Sequence, residues 1–155
     1  MVLILFKRYL KLLVGLMEQW VVYALLDALA AALATILAKM GLQRVDSVTA
    51  TALRSIVMMF FAVGIMLYFR GVEHVKGITQ VEYLFIVLSG VAGGLSWIFY
   101  FIALQKGDAS SVAMIDRSSI LFIILLSVLI LHEELTWKKA VSAILIAAAL
   151  YLLVA

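Results

Sequence analysis

Residues 108–131 form an apolar stretch long enough to cross a bilayer, yet they contain an adjacent acid and base, Asp116 and Arg117. A membrane-spanning helix needs about 20 mostly apolar residues. An ionisable side chain inside such a helix is costly, so it marks a functional site or requires an oppositely charged partner. The rest of the chain is therefore expected to supply helices that pack around this pair.

The composition is typical of helical membrane proteins. Hydrophobic residues make up 67% of the 155 residues, compared with about 45–50% in soluble domains. The net charge of +3 is small and spread over loops and ends, which does not indicate a nucleic-acid partner. The absence of Cys excludes a disulfide framework. The absence of Pro leaves Gly as the expected source of any helix break.

Four further apolar stretches accompany residues 108–131. The third stretch contains Gly90 and Gly94 at GxxxG spacing, and the first and last carry small residues at helical spacing, which predicts close helix packing. The predicted fold class is an all-α membrane protein with five transmembrane helices. The predicted spans are residues 20–39, 48–69, 83–104, 108–131 and 137–155.

Residues 1–18 precede the first span. Lys7, Lys11 and Glu18 fall near one face of an otherwise apolar helix, which predicts a short amphipathic helix lying in the membrane interface. The alternative is that this segment extends the first span. We therefore divide the chain into an N-terminal amphipathic segment, residues 1–18, and a five-helix transmembrane domain, residues 19–155.

The distribution of basic residues predicts the orientation. Of the 12 Lys and Arg, two lie inside spans, seven lie on the N-terminal side and three on the opposite side. This places the N-terminus in the cytoplasm of a multi-pass protein of the plasma or inner cell membrane. Residues 1–18 supply three of the seven, and the remaining four against three barely select an orientation, so dual topology stays open. The seven are Lys7, Arg8, Lys11, Arg70, Lys76, Lys138 and Lys139, and the three are Lys39, Arg44 and Lys106.

Polar residues of three spans are predicted to share one depth in the membrane. At about 1.5 Å per residue, Arg54 lies about 9 Å and Asp116 about 10 Å from the side opposite the N-terminus. The third span leaves the membrane on that side, which puts Trp97 and Tyr100 at a comparable depth. Arg117 follows Asp116 and points about 100° away from it around the helix.

Three interpretations of this layer remain open. As a substrate site, Asp116, Arg117, Arg54, Trp97 and Tyr100 would line a polar cavity with aromatic walls. As a structural element, a permanent salt bridge from Asp116 to Arg54 or Arg117 would hold the helices in register. Two nearby arginines would also stabilise the charged carboxylate, which disfavours Asp116 as a proton carrier. In the third interpretation, the arginines reach lipid headgroups.

Asp27 in the first span is the candidate for a coupling carboxylate. It has no obvious partner nearby in the sequence and lies in the other half of the membrane. In an antiparallel pair of subunits, the second copy would bring its Asp27 to the layer of Asp116.

The sequence contains no enzyme signature. It has no metal-ligand cluster, no nucleophile paired with a base and no phosphate-binding Gly loop, so we expect neither an enzyme nor a cofactor or metal site. His132, Glu133 and Glu134 are not spaced as ligands on a helix and predict a solvated turn.

The run from Gly94 to Ile146 resembles the later part of an EamA-type repeat of the drug/metabolite transporter superfamily, and the resemblance extends from about Tyr23 to the C-terminus. Two departures remove expected flex points. Where small members often have Pro-Ile-Asp-Lys, this chain has Met114-Ile115-Asp116-Arg117, and the family's Gly-Glu before the last helix is His132-Glu133. The matching pieces are Ala52-Leu53-Arg54, Tyr100-Phe101 with Ala103-Leu104, Ala109-Ser110 and Leu135-Thr136-Trp137.

The resemblance implies a transporter of small organic solutes. It also implies that the five helices are one half of a ten-helix inverted-repeat fold, so a single repeat would act with an antiparallel second copy or a paired homologue in the lipid bilayer. The alternative is a non-transporting helical membrane subunit that serves as a scaffold in a larger complex.

Overall fold

A computed structural model describes residues 19–69, 72–75 and 77–155. Within these ranges the chain forms seven helices and no strand. The amphipathic helix predicted for residues 1–18 lies outside the described residues. The helices are α1 (Gln19–Gly41), α2 (Ser47–Tyr68), α3 (Val72–Val75), α4 (Gln80–Lys106), α5 (Ala109–Asp116), α6 (Ser119–Ile130) and α7 (Trp137–Val154).

Five segments are long and apolar enough to cross a membrane: α1, α2, α4, α5 together with α6, and α7. Their ends lie within three residues of the predicted spans. Most of their large apolar side chains are exposed, as expected of helices that lipid must cover. The predicted class, an all-α membrane protein with five spans, is confirmed.

Polar side chains cap the starts of three spans, and Thr136 is the cap of α7. Asp46 precedes α2 and accepts hydrogen bonds from the backbone N–H groups of Val48 (3.0 Å) and Thr49 (2.9 Å). Hydrogen bonding from Thr49 also holds the pKa of the Asp46 carboxyl below its usual value. Thr79 and Glu82 form a reciprocal capping box at the start of α4. These caps satisfy N–H groups that have no partner inside the helix.

The chain divides into two compact units, residues up to Ala38 and Lys39–Ala155. In the first unit, residues 19–38 form most of α1, on which Asp27 is exposed. In the second unit, α4 packs against α2 and against α5, while α7 packs against α5 and α6. The helix α4 therefore lies at the centre of the contacts that surround the predicted polar layer.

The buried residues of the described chain gather where α2 begins and α4 ends. The hydroxyl of the buried Thr51 donates to the backbone carbonyl of Ser47 at 2.7 Å, so the Thr51 hydroxyl has a partner within its own helix. Elsewhere the described helices bury few side chains within one chain. The buried residues are Leu42, Ser47, Thr51, Phe101 and Leu104.

Lys39 joins this buried end to the last turn of α4. Its ammonium group donates hydrogen bonds to the backbone carbonyls of Leu104 and of Gly107, the latter at 2.8 Å. The last carbonyls of a helix lack partners inside the helix and carry partial negative charge, which a cation offsets. Gln105 adds a hydrogen bond from its amide nitrogen to the Val45 carbonyl at 2.7 Å.

The GxxxG glycines do not mediate a close helix contact within this chain. A Cβ atom added at Gly90, Gly93 or Gly94 would meet no heavy atom within 4 Å outside its own turn of helix. Among the described residues of Lys39–Ala155, the close packing predicted at this motif is therefore not found. The tight glycine is Gly107, where a Cβ would lie 3.0 Å from Cγ2 of Val112.

Candidate functional site

The fourth span is interrupted beside its charged pair. The helix α5 ends at Asp116 and α6 begins at Ser119. Across the junction most backbone N–H groups bond to the carbonyl three residues earlier, which is the tighter 3₁₀ pattern, and the Arg117 N–H also keeps an α-helical bond to the Ala113 carbonyl at 3.3 Å. The N–H groups of Arg117, Ser118 and Leu121 bond to the carbonyls of Met114 (3.1 Å), Ile115 (2.9 Å) and Ser118 (2.9 Å), respectively.

This interruption corrects the expectation that a helix break must come from Gly. The break occurs in the run Asp116-Arg117-Ser118-Ser119, which contains neither Gly nor Pro. Ser and Asp favour local turn conformations over a continued helix, and a short 3₁₀ segment in the middle of a helix is typical of a functional hinge. The absence of the family's Pro therefore does not leave the span a uniform α-helix.

An open cavity of about 290 Å³ lies between α4 and α5 beside this break. Its walls are mainly apolar and aromatic, and Asp116, at the end of α5, is the charged residue among the lining residues. Asp116 is exposed in the single chain. The lining residues are Ser96, Phe99, Tyr100, Ala103, Val112, Ile115 and Asp116.

The guanidinium of Arg54 lies against the other side of α4. Its central carbon is 3.5 Å from the centroid of the Trp97 ring and 5.6 Å from that of Phe101. Trp97 is itself held edge to face by Tyr100, at 5.5 Å between centroids, and by Phe101, at 5.6 Å. Arg54 therefore makes a cation–π stack on a braced aromatic ring.

Tyr100 lies where these two sides of α4 meet. At about 100° per residue, Trp97 and Phe101 fall on the face towards α2, whereas Phe99 and Ala103 fall on the cavity face. Tyr100 lies between them, contacts Trp97 and also lines the cavity. The structure thus brings Arg54, Trp97 and Tyr100 together, consistent with their common depth. It places Asp116 on the cavity side of α4, away from Arg54.

The predicted permanent salt bridge is absent. In the described part of the chain the ion pair formed is Lys139–Glu133, at 2.8 Å. The basic nitrogens of Arg54 and Arg117 are not within 4.0 Å of the Asp116 carboxylate. Arg54 is instead held over Trp97, and Arg117 is exposed and does not line the cavity. Asp27 lies on α1, in the first unit.

Sequence reasoning did not identify Phe101 as part of the site. Only 2% of its surface is exposed, and it braces Trp97 from four residues away. The spacing of three and four residues among Trp97, Tyr100 and Phe101 is the signal that identifies one face of a helix. The apolar cavity walls gave no such signal, because they resemble any lipid-facing surface.

The comparison with protein families decides what this helical unit is. The family model described as the EamA-like transporter family matches residues 18–155. The chain belongs to the EamA-like transporter family. A relative from Sinorhizobium sp, named "Uncharacterized transporter in cobO 3'region", is 36% identical over 136 residues, which are 88% of this chain and 96% of the relative. No solved structure matches the chain.

Membership settles the general character of this EamA-like protein. It is a multi-pass membrane protein of a transporter family and contains a five-helix EamA-like repeat, and the family and the relative point to a transporter rather than an enzyme. The aligned region makes up nearly all of the relative, so the relative too has the length of a single repeat. In the described ranges no group of three His, Asp or Glu side chains could hold a metal ion.

The turn before the last helix shows what the His132 departure does to the backbone. His132 has φ 54°, in the left-handed region that Gly adopts most readily. The next N–H, from Glu133, returns to the Ser127 carbonyl at 3.1 Å and closes the end of α6. Thus His132 keeps the Gly-like conformation without the Gly. Glu133 also pairs with Lys139, and both side chains are largely solvated.

Proposed function

We propose that this EamA-like protein transports small organic solutes of the drug or metabolite type, and that it acts as an antiparallel homodimer or with a paired homologue. The observation that carries the proposal is the position of Asp116. Asp116 lines an open, mainly apolar cavity beside the 3₁₀ turn of the fourth span, and its carboxylate has no ion-pair partner in the described chain.

A transporter needs these features together. A 3₁₀ segment in the middle of a helix often marks a functional hinge, and the substrate sites of transporters typically lie beside irregular segments of membrane helices. A carboxylate on an apolar wall suits a small solute with an apolar body and a hydrogen-bond donor. Tyr100 on the same wall, and the nearby Arg54–Trp97 stack, would complete the selection of solutes. Arg117 would contribute to the site from the break itself.

The proposed dimer is supported by surfaces that the described helices leave uncovered. The cavity is open, and a Cβ added at Gly90 or Gly94 of α4 would meet no described heavy atom of the unit Lys39–Ala155 within 4 Å. Family transporters with inverted repeats close such a site with a second repeat of opposite orientation. A second copy inverted in the membrane would bring its own Asp27 to the depth of Asp116, where it would serve as the coupling carboxylate. The weak bias in basic residues fits insertion in both orientations, with the N-terminus cytoplasmic in one of them.

Solute flux into proteoliposomes tests the proposal. A panel of small metabolites and drug-like solutes is screened with the wild type, and Asp116→Asn is expected to reduce flux by about tenfold or more, as the loss of a charge-assisted contact implies. Asp108→Asn is the matched control on the same span, because Asp108 is exposed and makes no capping hydrogen bond. Equal flux in both variants, at equal amounts of folded protein, would contradict the site assignment.

Two further outcomes bear on the rest of the proposal. If no solute in the panel is carried or stabilises the protein, and an unrelated membrane protein co-purifies with it, the non-transporting scaffold is favoured instead. Tagging both termini tests the topology. A single orientation would contradict the dual-topology homodimer and leave a paired homologue as the partner.

A further inference from the structure

We propose that the Arg54–Trp97 stack is an oxyanion-binding site, which takes a carboxylate or phosphate group. The group belongs either to a transported solute, a source that rests on the proposed function, or to a lipid headgroup. Both sources present the same chemistry to the guanidinium.

The stack leaves the hydrogen-bonding edge of Arg54 unused. A cation–π contact at 3.5 Å engages the flat face of the guanidinium. Its five N–H donors point outward in the plane of the group, in a fork that matches the two oxygens of a carboxylate or phosphate. Stacking and bidentate binding of an anion are therefore compatible.

No group of the described chain fills that role. In the described ranges no carboxylate lies within 4.0 Å of Arg54, and the residue that interacts electrostatically with its charge is the phenol Tyr100, which is not an anionic group in its ordinary state. Arg54 is half-buried and seven residues along α2, which is about 10 Å from the start of the helix. At that depth the aromatic ring offsets only part of the cost of a charge, so an anion from outside the chain has much to gain there.

The site is also pre-oriented. Trp97 is fixed edge to face between Tyr100 and the buried Phe101, so the ring that carries Arg54 cannot turn freely. A guanidinium held in one plane loses less side-chain entropy when it binds an anion. From this depth a long side chain can also reach a lipid phosphate. The two sources of the anion must therefore be separated by experiment.

The fluorescence of Trp97 can report on binding. The chain has three Trp, and replacing the exposed Trp20 and Trp137 by Phe leaves Trp97 alone. This protein, in nanodiscs of phosphate-free galactolipid, is titrated with phenyl phosphate and phenylacetate, and with benzyl alcohol as the uncharged control. The two anions are expected to change Trp97 emission saturably, and benzyl alcohol is not.

Substitutions of Arg54 test whether the signal comes from its guanidinium. Arg54→Gln is expected to weaken anion binding by about tenfold or more. Arg54→Lys, which keeps the charge and the fold but loses the planar fork, is expected to weaken it to a smaller extent. Arg44→Gln, in an exposed turn, is the control and should bind as the parent does.

The same titration in phosphatidylglycerol nanodiscs separates the sources. A response equal to that in galactolipid indicates a solute anion. In phosphatidylglycerol, the Trp97 emission could instead be shifted before any anion is added, in a way that depends on Arg54, and then not respond to phenyl phosphate. That result indicates that a lipid headgroup occupies the site. Absence of an Arg54-dependent anion response in both lipids overturns the proposal, even where flux is observed. If Trp97 responds to anions but no solute flux is detected, the anion-binding site is supported and the proposed transport function is contradicted.

Discussion

Lys39 provides the sharpest test of how the buried end of the protein is held together. Its ammonium group bonds to the carbonyls of Leu104 and Gly107 at the end of α4. Lys39→Met keeps the unbranched apolar stem and removes the charge and the donors. In this variant the two carbonyls differ in whether water can replace the lost hydrogen bond. Leu104 is fully buried, whereas Gly107 is partly exposed and water can reach it.

The magnitude follows from that difference. A buried carbonyl left without a donor costs about 1–3 kcal/mol, and a carbonyl that regains water costs little. We therefore expect Lys39→Met to lower the free energy of unfolding by about 2 kcal/mol. Lys106→Met is the control, because Lys106 is in the same last turn of α4 and exposed. It should change stability by less than about 0.5 kcal/mol.

The assay is reversible unfolding in mixed micelles, titrated with SDS and followed by Trp fluorescence and by helix content. Agreement between the two probes shows that one transition is being measured. Equal destabilisation by the two Lys variants would refute the reasoning, because it would mean that loss of a surface charge, and not an orphaned Leu104 carbonyl, causes the effect.

Three further perturbations test individual backbone and capping features. His132→Gly should stabilise the protein by about 0.5–1 kcal/mol, because Gly removes the left-handed strain, although it also adds entropy to the unfolded chain. His132→Ala should not stabilise the protein. Thermal unfolding of both variants tests this prediction. The folded pKa of Asp46 lies below its ordinary value of 3.8, so its contribution to stability is complete above that value and is lost as the pH falls below it. Wild type should therefore lose more stability than Asp46→Asn on acidification, and equal losses would contradict the assigned hydrogen bonding. Gly107→Ala should destabilise by about 1 kcal/mol, because the new Cβ would press on Val112 at 3.0 Å. If the double variant Gly107→Ala/Val112→Ala regains the lost stability, that contact is confirmed. If the stability is not regained, the contact is contradicted.

The spans could be predicted closely because the bilayer sets both their length and their composition. Asp46 and Thr79 stand at helix starts, where an apolar run meets a capping residue, so even the boundaries fall within three residues of prediction. Counting residues from those boundaries gives depth, and depth correctly placed Arg54 at the level of Trp97.

Rotation about the helix axes could not be predicted in the same way. Depth alone allowed Arg54 to meet Asp116, whereas α4 and Tyr100 separate them in the structure. Which face of a lipid-covered helix meets a neighbour depends on small differences in packing, since both faces are apolar. The break at Arg117 escaped prediction because it arises from polar residues that tighten the backbone and not from Pro or Gly.

The bonds made by Lys39 also have a consequence for the order of events during synthesis. The Leu104 carbonyl lies 65 residues further along the chain, so it does not exist when α1 first meets the membrane. At about 5–20 residues per second, the Lys39 ammonium waits about 3–13 s before its partner is made. During that interval it is a free basic charge that the insertion machinery can sense. The basic residues that select topology are thus counted on a growing chain, before folding withdraws Lys39 from the count.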